Sequence, residues 1–314
     1  MTRKVLVTGG AGFVGSHVAD AYVEAGYEVT VLDDLSSGRR HLVPRAARFV
    51  EADVRAPAAR QLLATGGFTL LNHHAAQMDV RRSVEDPVFD GSINLIGLLN
   101  LLEGARAGGV GRVVFASSGG VVYGEGAALP LGETAPKLPL SPYGVAKLAS
   151  EYYLATFAQL YGLEAAALRY SNVYGPRQNT HGEAGVVAIF ARRVLKGEPL
   201  TIYGDGDQTR DLVYVKDVAA ANLAASERAL PPLTDLDARA FNIGTGIETT
   251  VNALARGMGV ARQTSPEIRH AAARAGELRR SVLVVDKAAR LLGWRPRVTL
   301  AQGLELTLQH AAED

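Results

Sequence analysis

Short apolar runs alternate with longer stretches of helical period through the first half of the chain. Val5-Leu6-Val7, Val29-Thr30-Val31-Leu32, Arg48-Phe49-Val50, Thr69-Leu70-Leu71, Val113-Val114-Phe115 and Ala165-Ala166-Ala167-Leu168 read as buried parallel strands. After the first of them, Val14, Val18, Tyr22 and Ala25 fall on one stripe of a helix that starts near Gly12 and stops at Gly26, a residue suited to a left-handed C-cap. This βαβα order predicts an α/β fold with a doubly wound parallel sheet, helices on both faces and ligands at the carboxyl ends of the strands.

Beyond about residue 170 the rhythm loosens. Gly175-Pro176, Gly204-Asp205-Gly206-Asp207 and Pro231-Pro232 break the chain into short strands and helices, which predicts a smaller mixed α/β lobe over 171–314 after a first domain over 1–170. The boundary is soft, because Phe241-Asn242-Ile243-Gly244 reads as a strand that can return to the first sheet. Two helices, 93–107 and 143–161, are apolar around most of their circumference. A helix on a sheet needs one apolar stripe, so something must cover the other face. A second copy of the chain is the simplest cover and the C-terminal lobe the alternative; a symmetric homodimer is the expectation.

Composition changes this picture little. The chain has 314 residues, 47% of them hydrophobic, enough for a substantial core. Lys plus Arg number 33 against 32 Asp plus Glu, a formal charge of +1, which lacks the basic stripe that nucleic acid or a membrane surface requires. No apolar run approaches the ~18 residues of a transmembrane helix, and Met1 to Gly10 lacks the apolar stretch of a secretory signal. The absence of cysteine removes disulfides, thiolate metal sites and a cysteine nucleophile together. His73-His74 are adjacent and diverge on a strand, so they form no simple metal pair. A cytoplasmic protein without a metal is expected.

Candidate chemistry begins at Thr8-Gly9-Gly10-Ala11-Gly12-Phe13-Val14-Gly15, between the first strand and the first helix. Gly9, Gly12 and Gly15 allow a tight turn and a close backbone approach to a pyrophosphate seated on the helix N-terminus. Asp33, with Asp34 beside it, ends the second strand about 20 residues on, where a carboxylate can accept from ribose hydroxyls and repel a 2′-phosphate. NAD is therefore expected, with Arg39 and Arg40 keeping NADP as the alternative. Asp53-Val54 can hold the adenine edge, or Asp53 can be a plain capping residue. In Ser141-Pro142-Tyr143-Gly144-Val145-Ala146-Lys147, Ser141 suits the N-cap and Pro142 the first turn, so Tyr143 and Lys147 share a helix face. An ammonium beside a phenol stabilises phenolate, which predicts a lowered Tyr143 pKa and a general base.

Together with His73-His74-Ala75-Ala76, Ser117-Ser118, Val122-Tyr123-Gly124, Arg169-Tyr170-Ser171-Asn172 and Arg210-Asp211, these motifs resemble the extended branch of the short-chain dehydrogenases/reductases. Within it the chain is similar to the UDP-glucose 4-epimerase family over nearly its whole length. The resemblance implies a Rossmann domain that binds NAD, a lobe that binds a UDP-sugar, and an isomerase of galactose metabolism. In it Tyr143 removes the proton of the sugar 4-hydroxyl as C4 gives up hydride, and the 4-keto sugar turns over and takes the hydride back on its other face. Lys147 lowers the tyrosine pKa and binds the nicotinamide ribose. Phe13 and Val14 offer backbone contacts to the pyrophosphate; Ser36, Ser37 and Gly38 follow Asp33 around the adenosine ribose. His74, Ala75, Ala76 and Gln77 run beside the dinucleotide, Asn94 supports the cofactor side, and Ser171 approaches the nicotinamide. Asn172, Arg210 and Arg274 match positions that hold the substrate diphosphate, a task suited to guanidinium forks.

The chain departs from that family at Gly119, where a Ser or Thr hydroxyl usually helps to bind the sugar 4-oxygen. Ser118 is the nearest substitute. Ser281 aligns with a size gate, and its small side chain implies acceptance of UDP-GlcNAc and UDP-GalNAc as well. A nucleotide-sugar 4,6-dehydratase is the nearest alternative, but it needs acidic groups before Tyr123, where this chain has Gly119-Gly120-Val121. Another epimerase or a C4 reductase of the same branch is a further reading. A dinucleotide-sensing scaffold is the non-enzyme reading, and retention of both Tyr143 and Lys147 argues against it.

Overall fold

The computed structural model describes residues 3–179, 185–273 and 278–313. Strands form at all six apolar runs: β1 (Lys4–Thr8), β2 (Glu28–Asp33), β3 (Arg48–Glu51), β4 (Leu70–His73), β5 (Arg112–Ser118) and β6 (Glu164–Tyr170). Among the described residues β7 (Asn172–Tyr174), β8 (Leu200–Tyr203), β9 (Thr209–Tyr214), β10 (Ala240–Ile243), β11 (Glu248–Thr250) and β12 (Ile268–Ala271) follow. The main sheet has the order β10-β6-β5-β4-β1-β2-β3 with every pairing parallel. The order reverses between β1 and β4, which opens a crevice at their carboxyl ends.

The central strand shows why the runs are apolar without alternation. Val5 and Val7 of β1 pack with Val18 and Tyr22 of α1 (Phe13–Glu24) on one face, while Leu6 packs on the other with Leu63 of α2 (Pro57–Thr65). Neither face meets water, and each buried side chain of this size contributes roughly 1.5–3 kcal/mol. Helix α1 ends as its sequence predicts: Gly26 takes φ +78°, and Tyr27 N–H returns to Tyr22 O at 2.9 Å.

The helix expected over 93–107 is interrupted. Short helices α3 (Val80–Glu85) and α4 (Pro87–Gly91) lead into a π turn at Ser92–Ile96, and only then does α5 (Gly97–Ala107) begin. The extra residue in the π turn sits where Asn94 points into the protein. Helix α6 (Pro142–Tyr161) has the predicted start, with Ser141 Oγ accepting from Gly144 N–H at 3.2 Å. Its outer face is open: Val145, Tyr152, Leu160 and Tyr161 are at least half exposed, as is Ile96 beside them. The C-terminal lobe does not cover them.

The second half builds a lobe around α7 (Val186–Leu195), α9 (Val251–Arg262) and α11 (Leu300–Glu313), whose core includes Phe190, Leu254, Met258 and Leu304. It is woven into the sheet. Helix α8 (Val215–Glu227) lies against α1, β10 extends the main sheet beside β6, and α10 (Asp286–Leu292) packs on β10.

One charged knot joins the two halves. Arg169 on β6 is fully buried and grips Glu151 of α6 through Nε and Nη2, the shortest contact being 2.6 Å. It also donates to Asp237 Oδ1 at 2.8 Å, Glu133 O at 2.9 Å and Tyr123 Oη at 3.1 Å. Ser117 Oγ donates to Glu151 Oε1, and Tyr123 Oη to Asn242 Oδ1 on β10.

Candidate active site

The glycine loop closes on itself as tightly as its sequence requires. Gly9 has φ +68°, and a Cβ there would lie 2.6 Å from Ala75 N. A Cβ on Gly15 would lie 2.1 Å from Gly9 O, so the start of α1 packs directly on the turn. Gly12 is the N-cap of α1 and offers no capping side chain, leaving the first-turn N–H groups, including those of Phe13 and Val14, available to an anion.

Asp33 ends β2 and is 6% exposed. Its Oδ2 accepts from Ala11 N–H at 3.0 Å and its Oδ1 from Leu35 N–H at 2.9 Å. The carboxylate thus ties β2 to the glycine loop and steadies Leu35, a non-glycine residue at φ +58°. Gly38 is where a Cβ would strike Asp33 Oδ1, at 2.7 Å. Asp34 is exposed and accepts from Ser36 N–H and Oγ–H, and Ser37 is exposed beside it. Asp53 is engaged locally: both oxygens hold Arg55, whose guanidinium keeps that carboxyl below the usual range. Val54 is buried against Gly97.

Across the crevice, the end of β4 presents two histidines in opposite directions. His73 Nδ1 meets Thr8 Oγ1 at 2.6 Å, while His74 Nε2 meets Tyr170 Oη at 3.0 Å. Burial pushes His74 down to about 3, so it is a neutral ring at physiological pH. The following turn, Ala75, Ala76 and Gln77, faces the glycine loop through Gly9. Gln77 is locked by Asn94, which accepts from Gln77 N–H at 3.0 Å and donates to Gln77 O at 2.9 Å.

Tyr143 and Lys147 stand together on α6, with Lys147 Nζ 5.7 Å from the phenol ring centre. Lys147 is buried, donates to Ala116 O at 2.8 Å and lies 4.7 Å from the Phe115 ring centre. The phenol pKa is shifted in the opposite sense to the one predicted from spacing. Burial, with a smaller push from Asp90, drives it upward, and burial lowers the Lys147 ammonium to about 8. Desolvation outweighs the charge pairing that the i, i+4 spacing suggests.

Ser118, at the end of β5, is partly exposed. Gly119 is more than a missing hydroxyl. A Cβ at Gly119 would come within 2.7 Å of Leu283 Cδ1, so an apolar side chain from the lobe fills the space a serine would need. Nothing local in the sequence announces that contact.

On the lobe side Ser171 is 8% exposed, and Asn172 is exposed on β7. Arg210 on β9 donates to Thr209 O and Leu278 O, both at 2.8 Å, holding the segment that leads to the buried Ser281. Arg274 lies outside the described residues. Asp211, fully buried, accepts from Thr245 N–H and Oγ–H, Gly246 N–H and Leu283 N–H, and so fixes the lobe's edge against Ser171 and Gly244.

Two features fit a bound dinucleotide. His74 Nδ1, just after β4, and Ser171 Oγ, just after β6, are buried without a hydrogen-bond partner, and the glycine cradle leaves room for backbone contact alone.

Comparison with known proteins agrees. Residues 5–244 match the model of the NAD dependent epimerase/dehydratase family. A UDP-glucose 4-epimerase of Mycolicibacterium smegmatis is 43% identical over 311 residues, covering 98% of this chain and 97% of that one. The crystal structure of a UDP-glucose 4-epimerase of Thermotoga maritima with UDP-glucose superimposes with a TM-score of 0.94 at 44% identity, covering 99% of both chains. That of a Thermus thermophilus UDP-glucose 4-epimerase in complex with NAD gives 0.89 at 45% identity, covering 98% of both. The chain belongs to the NAD-dependent epimerase/dehydratase family.

Proposed function

We propose that the protein is an NAD-dependent UDP-glucose 4-epimerase that interconverts UDP-glucose and UDP-galactose through a 4-keto sugar. The observation that carries this reading is the Tyr143–Lys147 pair at the mouth of a glycine-cradled sheet, in a chain 43% identical to a UDP-glucose 4-epimerase over nearly its whole length. NAD, when bound, supplies the hydride acceptor for C4 and a cationic ring beside the phenol.

The chain's own residues do the rest. The first turn of α1, with Gly9, Gly12, Phe13, Val14 and Gly15, receives the pyrophosphate, and Asp33 with Asp34, Ser36, Ser37 and Gly38 shapes the adenosine ribose site. Asp53-Val54 borders the adenine. His74 to Gln77 line the dinucleotide, with Asn94 behind them, and Ser171 approaches the nicotinamide. Tyr143 takes the proton of the 4-hydroxyl and returns it; Lys147 holds the ribose and opposes the burial that raises the phenol. Ser118 stands in for the hydroxyl absent at Gly119. Asn172, Arg210 and Arg274 hold the diphosphate, so the lobe over 171–314 carries the sugar nucleotide and 1–170 the cofactor.

A 4,6-dehydratase is disfavoured by Gly119-Gly120-Val121, which offers neither acid nor base for elimination. Incubation with UDP-galactose and no added cofactor is expected to give UDP-glucose; a 4-keto-6-deoxy product would contradict the reading. Ser281, buried and small, supports turnover of UDP-GalNAc in the same assay, and failure with that sugar removes dual specificity.

The expected homodimer through helices 93–107 and 143–161 is supported by the open apolar face of α6, with Ile96 beside it, since an open patch of this kind marks an interface, whereas the leucines of α5 are already largely buried within the chain. Sedimentation at twice the 33.2 kDa chain mass is expected, and a monomer after Tyr152→Glu; a monomeric wild type excludes the dimer. Among the described residues no helix is long and apolar enough to cross a membrane. A cytoplasmic location accords with the lack of cysteine.

A further inference from the structure

Asp90 is an acid placed where the helix pattern calls for an apolar residue. It sits on α4, is 1% exposed, and has no Lys or Arg in ion-pair contact among the described residues. Its Oδ1 accepts two side-chain hydrogen bonds, from Gln77 Nε2 and Asn94 Nδ2, each at 2.9 Å. Its Oδ2 is buried and has no partner at all. A buried carboxylate left half satisfied costs stability, so its presence calls for a use.

We propose that Asp90 is a positioning residue of the active site: its Oδ1 fixes Gln77 and Asn94 along the cofactor cleft, and its uncompensated negative charge keeps Lys147 cationic behind Tyr143. The proposal rests on the reading of Tyr143 and Lys147 as the proton-transfer pair.

The surroundings of Lys147 show why Asp90 carries this task. On its own helix are Tyr143 and Glu151, from the end of β4 and the residue after it come His73 and His74, and from α4 comes Asp90. Both histidines are held neutral by burial. Glu151 favours the ammonium, but its two oxygens are already claimed by Arg169 of β6 and Ser117 of β5. Asp90 is left as the carboxylate acting on Lys147 without another cation, and it opposes the desolvation that lowers the ammonium; burial raises its own carboxyl pKa, and the hydrogen bonds from Gln77 and Asn94 together with the Lys147 charge hold that rise back. The same charge adds to the burial that raises the phenol of Tyr143. Geometry and charge work through one side chain. The oxygen that binds Gln77 and Asn94 holds the cleft wall, and the other oxygen is bound by no cation or hydrogen-bond donor among the described residues.

Asp90→Asn separates the two roles, because an amide oxygen can still accept from Gln77 and Asn94 while the charge is gone. The direct readout is the titration of Lys147 in full-length protein carrying ¹³Cε-labelled lysine, its signal assigned with Lys147→Met among the six lysines of the chain. Wild-type Lys147 is expected to titrate at about 8, and Asp90→Asn to move that midpoint downward. NAD content should stay near wild type in Asp90→Asn and fall in Asp90→Ala, which also frees Gln77 and Asn94. In turnover of UDP-galactose near neutral pH, Asp90→Asn should lose about twofold in kcat, the effect on the cationic fraction of a midpoint that falls from about 8 by about one unit, with little change in KM. Asp90→Glu keeps the charge while disturbing the hydrogen bonds; it should hold the wild-type midpoint, and it carries the test if Asp90→Asn does not fold. An unmoved Lys147 midpoint in Asp90→Asn, or a fall as large in Asp90→Glu, overturns the proposal. An inactive wild type would instead remove the epimerase reading, and the Lys147 titration would still report on Asp90.

Discussion

Tyr143→Phe is expected to lower the interconversion of UDP-galactose and UDP-glucose by at least ~100-fold, the scale of a removed general acid–base group, while bound NAD and folding are retained. The substitution is clean because burial and the Asp90 charge, and no hydrogen bond among the described residues, act on the hydroxyl, so its removal leaves no orphaned partner. The ring keeps its place over the first turn of α6 and its distance from Lys147. Loss of NAD together with activity would point to a structural role for the phenol, and wild-type turnover would remove its assigned role. Burial adds a pH signature: with the phenol raised and Lys147 at about 8 in the free protein, turnover should fall as pH drops and the phenol holds its proton.

Arg169→Ala is expected to cost about 3–5 kcal/mol of stability, since it strands the buried Glu151 carboxylate and takes a partner from Asp237, Tyr123 and the Glu133 carbonyl. Urea unfolding at neutral pH measures it; a loss below about 1 kcal/mol, the scale of an exposed ion pair, would contradict the account. Breaking one side of a buried pair differs from replacing both. Arg169→Met combined with Glu151→Leu should therefore recover much of the loss, because it removes the stranded charge as well as its partner. The knot matters for function through position: Glu151 lies one turn after Lys147 on α6, and Tyr123 and Asn242 bring β10 and the lobe to the same place.

What the sequence made legible is what local chemistry decides. The six strands, the glycine turn, the Gly26 stop of α1 and the Ser141 cap all follow from residue type at a position. The remainder depends on what arrives from far along the chain. The π turn at Ser92–Ile96 leaves the apolar spacing of 93–102 nearly intact, so a helical period alone does not betray it. Leu283 reaches Gly119 from the far lobe. Asp90 carried a signal that the motif reading passed over: an acid in the apolar approach to a buried helix. Tyr143 is the instructive case, because the i, i+4 lysine is where spacing put it, and yet the sign of the phenol's shift is set by burial, which spacing does not contain.

The central claim is that hydride leaves C4 and returns to it within one closed site while a phenol holds the proton. UDP-galactose deuterated at C4, turned over without added cofactor, tests it most directly. The account predicts UDP-glucose with the deuterium still at C4, and no deuterium at C4 when unlabelled substrate is turned over in heavy water. Washout of the label, or its entry from solvent, would contradict it.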